Sequence, residues 1–246
     1  QFEQVYQIPY RSLYSKNIRN LQFAGRNISQ THIALSSSRI MATCALEGQA
    51  VGTAAAICIQ KEISPRDVGQ KFINELQEQL LRDDAFIPKR PSKDPNDLVR
   101  KASVIFASST LTGDATLLSN GYSRDIDGNI NHWQSDGLAA EVQIEWEMPI
   151  DISKIEVKCD TNLQRNIMMR KDSANTKIYN NTIPNEMVKS IQIEARINGK
   201  WSKVSEVSNN TSRLIKFKFD VQIGVTAIKL KVLETYGHKN VKLFEV

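Results

Sequence analysis

Three prolines fall within eight residues, Pro88 to Pro95, in the segment "IPKRPSKDPND", and the hydrophobic period changes across it. Upstream, apolar residues recur at helical spacing. Downstream, they alternate with polar ones. One layer cannot hold both patterns, because helices bury a stripe and strands bury alternate residues. The segment itself has no apolar periodicity and reads as a linker. A chain of 246 residues is long enough for two cores. The expected division is 1–92 and 93–246, with the boundary in 88–98.

The first part predicts an α+β piece. "QVYQIPY" and "NLQFAG" read as strand and loop, the second a short buried strand ending in a glycine turn. "SSSRIMATCALEGQAVGTAAAICIQK" reads as one long helix with N-caps at Ser36 to Ser38. Gly48 and Gly52 lie inside it, beside Ala45, Ala55 and Ala56. An interior glycine costs about 1 kcal/mol relative to alanine. Two of them imply that something approaches that face closely. A second helix begins at Ser64-Pro65 with a capping-box Asp67 and carries Val68, Phe72, Ile73, Leu76, Leu80 and Leu81 to about Asp83–Ala85.

The second part predicts all-β structure. "EVQIEWEM", "KIEVKC", "SIQIEARI", "WSKVSEV", "LIKFKF" and "AIKLKVLE" alternate, with turn residues at 198–200, 208–212 and 236–240. About eight short strands without intervening helix argue an antiparallel β-sandwich or jelly roll.

Several functions are poorly supported. The net charge of +5 divides into +3 before residue 93 and +2 after it, with no basic run, so nucleic-acid binding has little support. The apolar run Ala42–Ile59 holds Glu47, Gln49 and mostly small residues, which argues against a membrane span. Cys44 and Cys58 sit about 21 Å apart on the expected helix, too far for a disulfide, and read as buried thiols. No Cys/His spacing suggests a metal site. No two glycines are two residues apart, so G-x-G-x-x-G is absent, as are the P-loop, G-x-S-x-G and H-E-x-x-H. The chain starts at Gln1 without Met and reads as a fragment or processed product. The sequons at Asn27, Asn180, Asn209 and Asn210 carry weight only in a eukaryotic secretory setting. A periplasmic or secreted bacterial location is the working expectation.

The stretch "NLQFAGRNISQTHIALSSSRIMATCALEGQAVGTAAA" resembles the C-terminal cofactor-contacting segment of a family of FAD-dependent oxidoreductases. That family carries "NL-x-x-AGR-x-IS", then "H-x-A-x-x-S-x-R-x-M", then "GQA-x-G-x-AAA". The preceding "YQIPYRSLY" is similar to its "IPYR-x-L" strand. The resemblance implies that backbone N–H groups at Ala24 and Gly25 approach the FAD pyrophosphate or ribityl chain, and that Arg26 offsets phosphate charge. It implies that the helix N-terminus around Ser38, Met41 and Thr43 points its dipole at the flavin ring. Gly48 and Gln49 would pack against the dinucleotide-binding domain. His32 and Arg39 are the candidates to reach substrate or flavin. The bland alternative is plain helix packing. The family's dinucleotide fingerprint lies far upstream of this segment, so the chain would hold one wall of the site and, alone, neither retain FAD nor be active.

The second part resembles the discoidin-type, galactose-binding-like sandwiches through "HWQSDG", Trp201, Asn209 or Asn210, and Arg213. Such domains often bind glycans at loops of one end and hold a structural calcium at a "DG" turn. Asn120 replaces the Asp of that turn, which places the calcium in doubt. Asp125, Asp127 and Asn129 could offer oxygen ligands, but read better as a polar turn. Trp146 and Trp201 are expected in the core, and Trp133 is a candidate ligand contact. The reading is thus a C-terminal fragment of an FAD-dependent oxidoreductase, transferring a hydride or two electrons to flavin, with an appended sandwich. The alternative is a non-enzymatic carbohydrate-binding or adhesion module with a helical cap.

Overall fold

The computed structural model describes residues 5–162 and 183–246, so the sequon at Asn180 lies outside the described residues. The chain forms two compact units, Gln1–Asp94 and Pro95–Val246.

The first unit is helical. A 3₁₀ turn, Tyr10–Leu13, precedes α1 (His32–Ser38), α2 (Met41–Lys61), α3 (Pro65–Lys71) and α4 (Ile73–Arg82). The expected "NLQFAG" strand does not form: Gln22 makes only an isolated bridge to Tyr14, and Leu21 to Phe23 are half-buried. The expected long helix is broken at Arg39–Ile40. Ser36 Oγ donates to the Ile33 carbonyl at 2.6 Å, and Ser38 Oγ reaches the Ala34 carbonyl at 3.2 Å. Hydroxyls that bond back to i−3 and i−4 carbonyls compete with the helix ladder. The serines therefore close α1 rather than open α2, and Thr31 caps α1 at the Ala34 N–H. Glu62 ends α2 in the left-handed conformation, with Ile63 N–H returning to the Cys58 carbonyl at 3.0 Å.

The Ser64 capping box forms as the sequence indicates. Gly69 lies against Tyr10: a Cβ there would sit 3.1 Å from the Tyr10 ring, so only glycine fits without displacing it. Leu76, Leu80, Val68, Ala54, Ile57 and Ala85 make the core. The proline segment is tied down in part. Glu78 accepts from Ser92 Oγ and Lys93 N–H, and Arg82 pairs with Asp94.

Hydrogen bonds from the Ser64 hydroxyl and backbone hold the Asp67 carboxyl down to about 2, with Lys71 assisting. The folded value lies below the ordinary carboxylate value of about 4, so this stabilisation is present above about pH 4 and is lost as pH falls toward about 2. Ser64→Ala is expected to cost about 1 kcal/mol at neutral pH. Melting curves of the wild-type and Asp67→Asn proteins should converge across that acidic window.

The second unit is an antiparallel β-sandwich of jelly-roll type. Its strands are β1 (Val104–Ala107), β2 (Thr112–Gly113), β3 (Trp133–Gln134), β4 (Ala140–Cys159), β5 (Val188–Ile197), β6 (Lys200–Val207), β7 (Leu214–Thr235) and β8 (Lys242–Glu245). β4 and β7 pair along their length and serve both sheets. The first half of β4 pairs with β1, and the second half of β7 with β5, which carries β6. The other half of β4 pairs with β8, which carries β3 and then β2. "EVQIEWEM" and "KIEVKC" are thus one strand, as are "LIKFKF" and "AIKLKVLE". Register shifts between Glu145 and Lys154 let β4 bend from one sheet to the other. Opposite them Gly224, at φ +72°, donates its N–H to Asp151 at 2.9 Å. Val142 faces Leu230 and Ile144 faces Ile228, all buried in the core between the sheets.

Candidate functional site

Two cavities flank the turn between α1 and α2. The smaller, about 630 Å³, is lined by Arg26, Asn27, Arg39, Met41, Cys44 and Ala45. Three residues chosen from sequence therefore share one wall: Arg26, Arg39 and Met41. No acidic residue is among that lining. The N-cap of α2, Ile40, offers no side-chain acceptor, so the first-turn N–H groups carry no side-chain cap. Two guanidiniums, an amide and an uncapped helix start form an environment for an anion, and these residues fit the phosphate-bearing part of a dinucleotide.

The turn behaves differently from expectation in one respect. The Gly25 N–H does not point outward. It donates to Glu47 Oε2 at 2.5 Å. Glu47 is buried, and its Oε1 is left without a partner. A buried carboxylate needs donors, and the turn amide supplies one. This leaves Arg26 and Asn27, rather than the Gly25 amide, as the groups of that turn that line the cavity. Glu47 stands out in the sequence as an acid within an apolar helix, but its partner lies 22 residues upstream and no local pattern signals it.

The remaining candidates are dispersed. His32 is the exposed first residue of α1 and lines neither cavity. Ala24 is exposed and also outside both. Ser38 is buried and donates to Gln30 Oε1, so it faces the second cavity. Thr43 Oγ1 lies 3.4 Å from the Tyr6 hydroxyl. Gln49 reaches the Asp83 carbonyl at 3.4 Å, within its own unit.

Gly48 and Gly52 are exposed, and a Cβ built on either meets nothing within 4 Å. With Met41, Ala45, Ala56 and Ile59 they form one exposed stripe of α2. α2 is also long and apolar enough to cross a membrane by length and composition. Its opposite face, at Ala54 and Ile57, packs in the core of the unit.

The sandwich has its own polar cluster. Both Asp125 carboxylate oxygens lie 2.8 Å from His132 Nδ1, and Asn131 N–H donates to one of them. His132 Nε2 lies 3.0 Å from Thr112 Oγ1. The Phe244 ring meets the His132 edge at 5.8 Å and the Arg213 guanidinium at 5.5 Å. Asp125 is thus engaged in pinning the loop. Trp133 is fully buried, with Nε1 donating to the Ser109 carbonyl at 3.0 Å, so it is a core residue and no ligand contact. Its two-residue strand between β2 and β8 turns it inward. Trp201 is only half-buried, with Lys229 Nζ 4.7 Å from its ring. Asn210 is buried and bonds the Val188 and Ser212 carbonyls, a structural role.

Residues 2–80 match the family of FAD dependent oxidoreductases. No curated protein matches the chain. Among solved structures, it is similar to the family 32 carbohydrate-binding module of Streptococcus pneumoniae EndoD, at 17% identity over 60% of this chain and 94% of that one, TM-score 0.45. A Clostridium perfringens module, CpGH89CBM32-5, solved with GalNAc-β-1,3-galactose, is 18% identical over 58% of this chain and 91% of that one, TM-score 0.41. Chitosan-binding module 1 from a Paenibacillus sp. IK-5 chitosanase/glucanase is 10% identical over 60% and 94%, TM-score 0.44.

Proposed function

We propose that residues 1–92 form one wall of the FAD site of a two-electron oxidoreductase, completed by a dinucleotide-binding domain outside this chain. The observation that carries the reading is the cavity shared by Arg26, Arg39 and Met41, inside the segment that matches the oxidoreductase family. When bound, the flavin supplies the hydride or two-electron acceptor. This chain's own residues bind and orient it. Arg26 and Arg39 balance phosphate charge, Met41 and Ala45 provide an apolar floor, and Glu47 fixes the turn that carries Arg26. The exposed Gly48–Gly52 stripe gives the partner domain a surface for close backbone approach. Arg39 and His32 remain the proposed residues for contact with substrate or flavin. The appended sandwich is proposed as a carbohydrate-binding module acting at its loops, and a periplasmic or secreted setting accompanies that role.

Gel filtration of the chain after mixing with excess FAD tests the reading. The 246-residue chain should emerge colourless, whereas the polypeptide extended through its upstream coding sequence should retain visible flavin absorption. An extended polypeptide that emerges without flavin contradicts the proposal.

A further inference from the structure

The chain has two Asn-Gly pairs, Asn120-Gly121 and Asn198-Gly199, and their surroundings are opposite. Asn198-Gly199 is the whole turn between β5 and β6, since Ile197 pairs with Lys200. Both residues have positive φ, +51° and +76°, as a two-residue turn between twisted strands requires. Both are exposed, and a Cβ built on Gly199 meets nothing within 4 Å. The Asn198 side chain makes no hydrogen bond among the described residues. Asn120, by contrast, is held at both ends of its amide. Its Nδ2 donates to Asn131 Oδ1 at 3.0 Å, and its Oδ1 accepts from the Tyr122 N–H at 2.8 Å. Gly121 is buried.

An asparagine followed by glycine can react with its own backbone. The glycine nitrogen attacks the asparagine Cγ, a C–N bond forms, and the side-chain nitrogen leaves as ammonia with the glycine's amide proton. The resulting succinimide takes up water and opens at either carbonyl, giving aspartate or isoaspartate. Water is the sole co-reactant, and nothing is oxidised or reduced. Glycine favours the attack because it has no Cβ to obstruct it. The asparagine side chain must also be able to rotate onto the nitrogen, which Asn198 can do and Asn120 cannot without breaking its bonds.

We propose that Asn198 is a spontaneous deamidation site, and that its conversion to isoaspartate loosens the turn end of the β5–β6 hairpin. Isoaspartate adds a methylene to the backbone of a two-residue turn, so Ile197 and Lys200 lose their register. The next pair is Arg196 with Trp201, where the guanidinium carbon lies 5.5 Å from the indole ring. β6 stands at the end of the strand order, against β5. The Trp201 ring is therefore the first side chain to feel the altered turn.

Ageing the full chain in mildly alkaline buffer, with peptide mapping and isoaspartyl methyltransferase labelling, tests this. The peptide spanning Asn198 should gain an acidic form and take label. The peptide spanning Asn120 should react about tenfold more slowly or less, because two hydrogen bonds must break first. In urea those bonds are absent, and the two peptides should react at similar rates. Tryptophan emission of the aged folded chain should shift to the red. Asn198→Gly, which keeps positive φ accessible at the turn, should hold its emission under the same treatment. Equal rates at the two sites in the folded chain, unchanged emission after Asn198 has converted, or the same emission shift in Asn198→Gly would each overturn the proposal.

Discussion

Leucine in place of Gly52 is expected to leave the 246-residue chain folded, yet to lower the flavin content of the extended polypeptide several-fold. In the chain itself a Cβ at this position meets nothing within 4 Å, and the site lies in the middle of α2. Replacing an exposed helical glycine with a good helix former gains about 1 kcal/mol of propensity. The melting temperature of the isolated chain should therefore hold or rise slightly. In the proposed arrangement the same face packs against the partner domain of the extended polypeptide, where added side-chain volume would oppose close packing at about 1–3 kcal/mol or more. Flavin per chain, measured by absorption after denaturation, should fall several-fold for Gly52→Leu. Ile59→Val, on the same stripe but without added bulk, should leave it unchanged.

Trp133→Ala is expected to lower the stability of the sandwich by about 3–5 kcal/mol. The side chain is fully buried, and its loss removes both the volume and the Nε1 hydrogen bond to the Ser109 carbonyl. Trp133→Phe keeps most of the volume and should lose about 1 kcal/mol for the bond, with a smaller term for the cavity. Denaturant unfolding followed by near-UV signal reads the difference. A variant Trp133→Ala with wild-type stability would show that the loop 120–132 does not depend on this anchor.

The sequence revealed period and punctuation well. The Ser64-Pro65-x-Asp67 start is local chemistry, and α3 begins where it says. The alternation after residue 140 is equally local, and β4, β5 and β7 follow it. Features decided by distant partners were hidden. "NLQFAG" has strand composition, but among the described residues its ladder stops at the isolated bridge between Gln22 and Tyr14. The three serines have N-cap composition, but the hydroxyls of Ser36 and Ser38 bond backwards, and α1 ends there. Trp133 beside His132 has the composition of a ligand loop, and only the pairing of β3 with β8 shows that it turns inward. The same limit applies to the candidate site. Arg26 and Arg39 are 13 residues apart and meet because α1 folds back between them, and Glu47 finds Gly25 through that same fold.

Flavin occupancy of the extended polypeptide carrying Arg26→Glu and Arg39→Glu together tests the central claim most directly. Reversing both charges turns an anion-accepting cavity into a repelling one without touching the buried core, since both side chains are exposed. The expected result is a folded polypeptide that loses FAD on gel filtration while the unaltered polypeptide keeps it. Equal FAD occupancy in the two would contradict the assignment of this cavity to the cofactor.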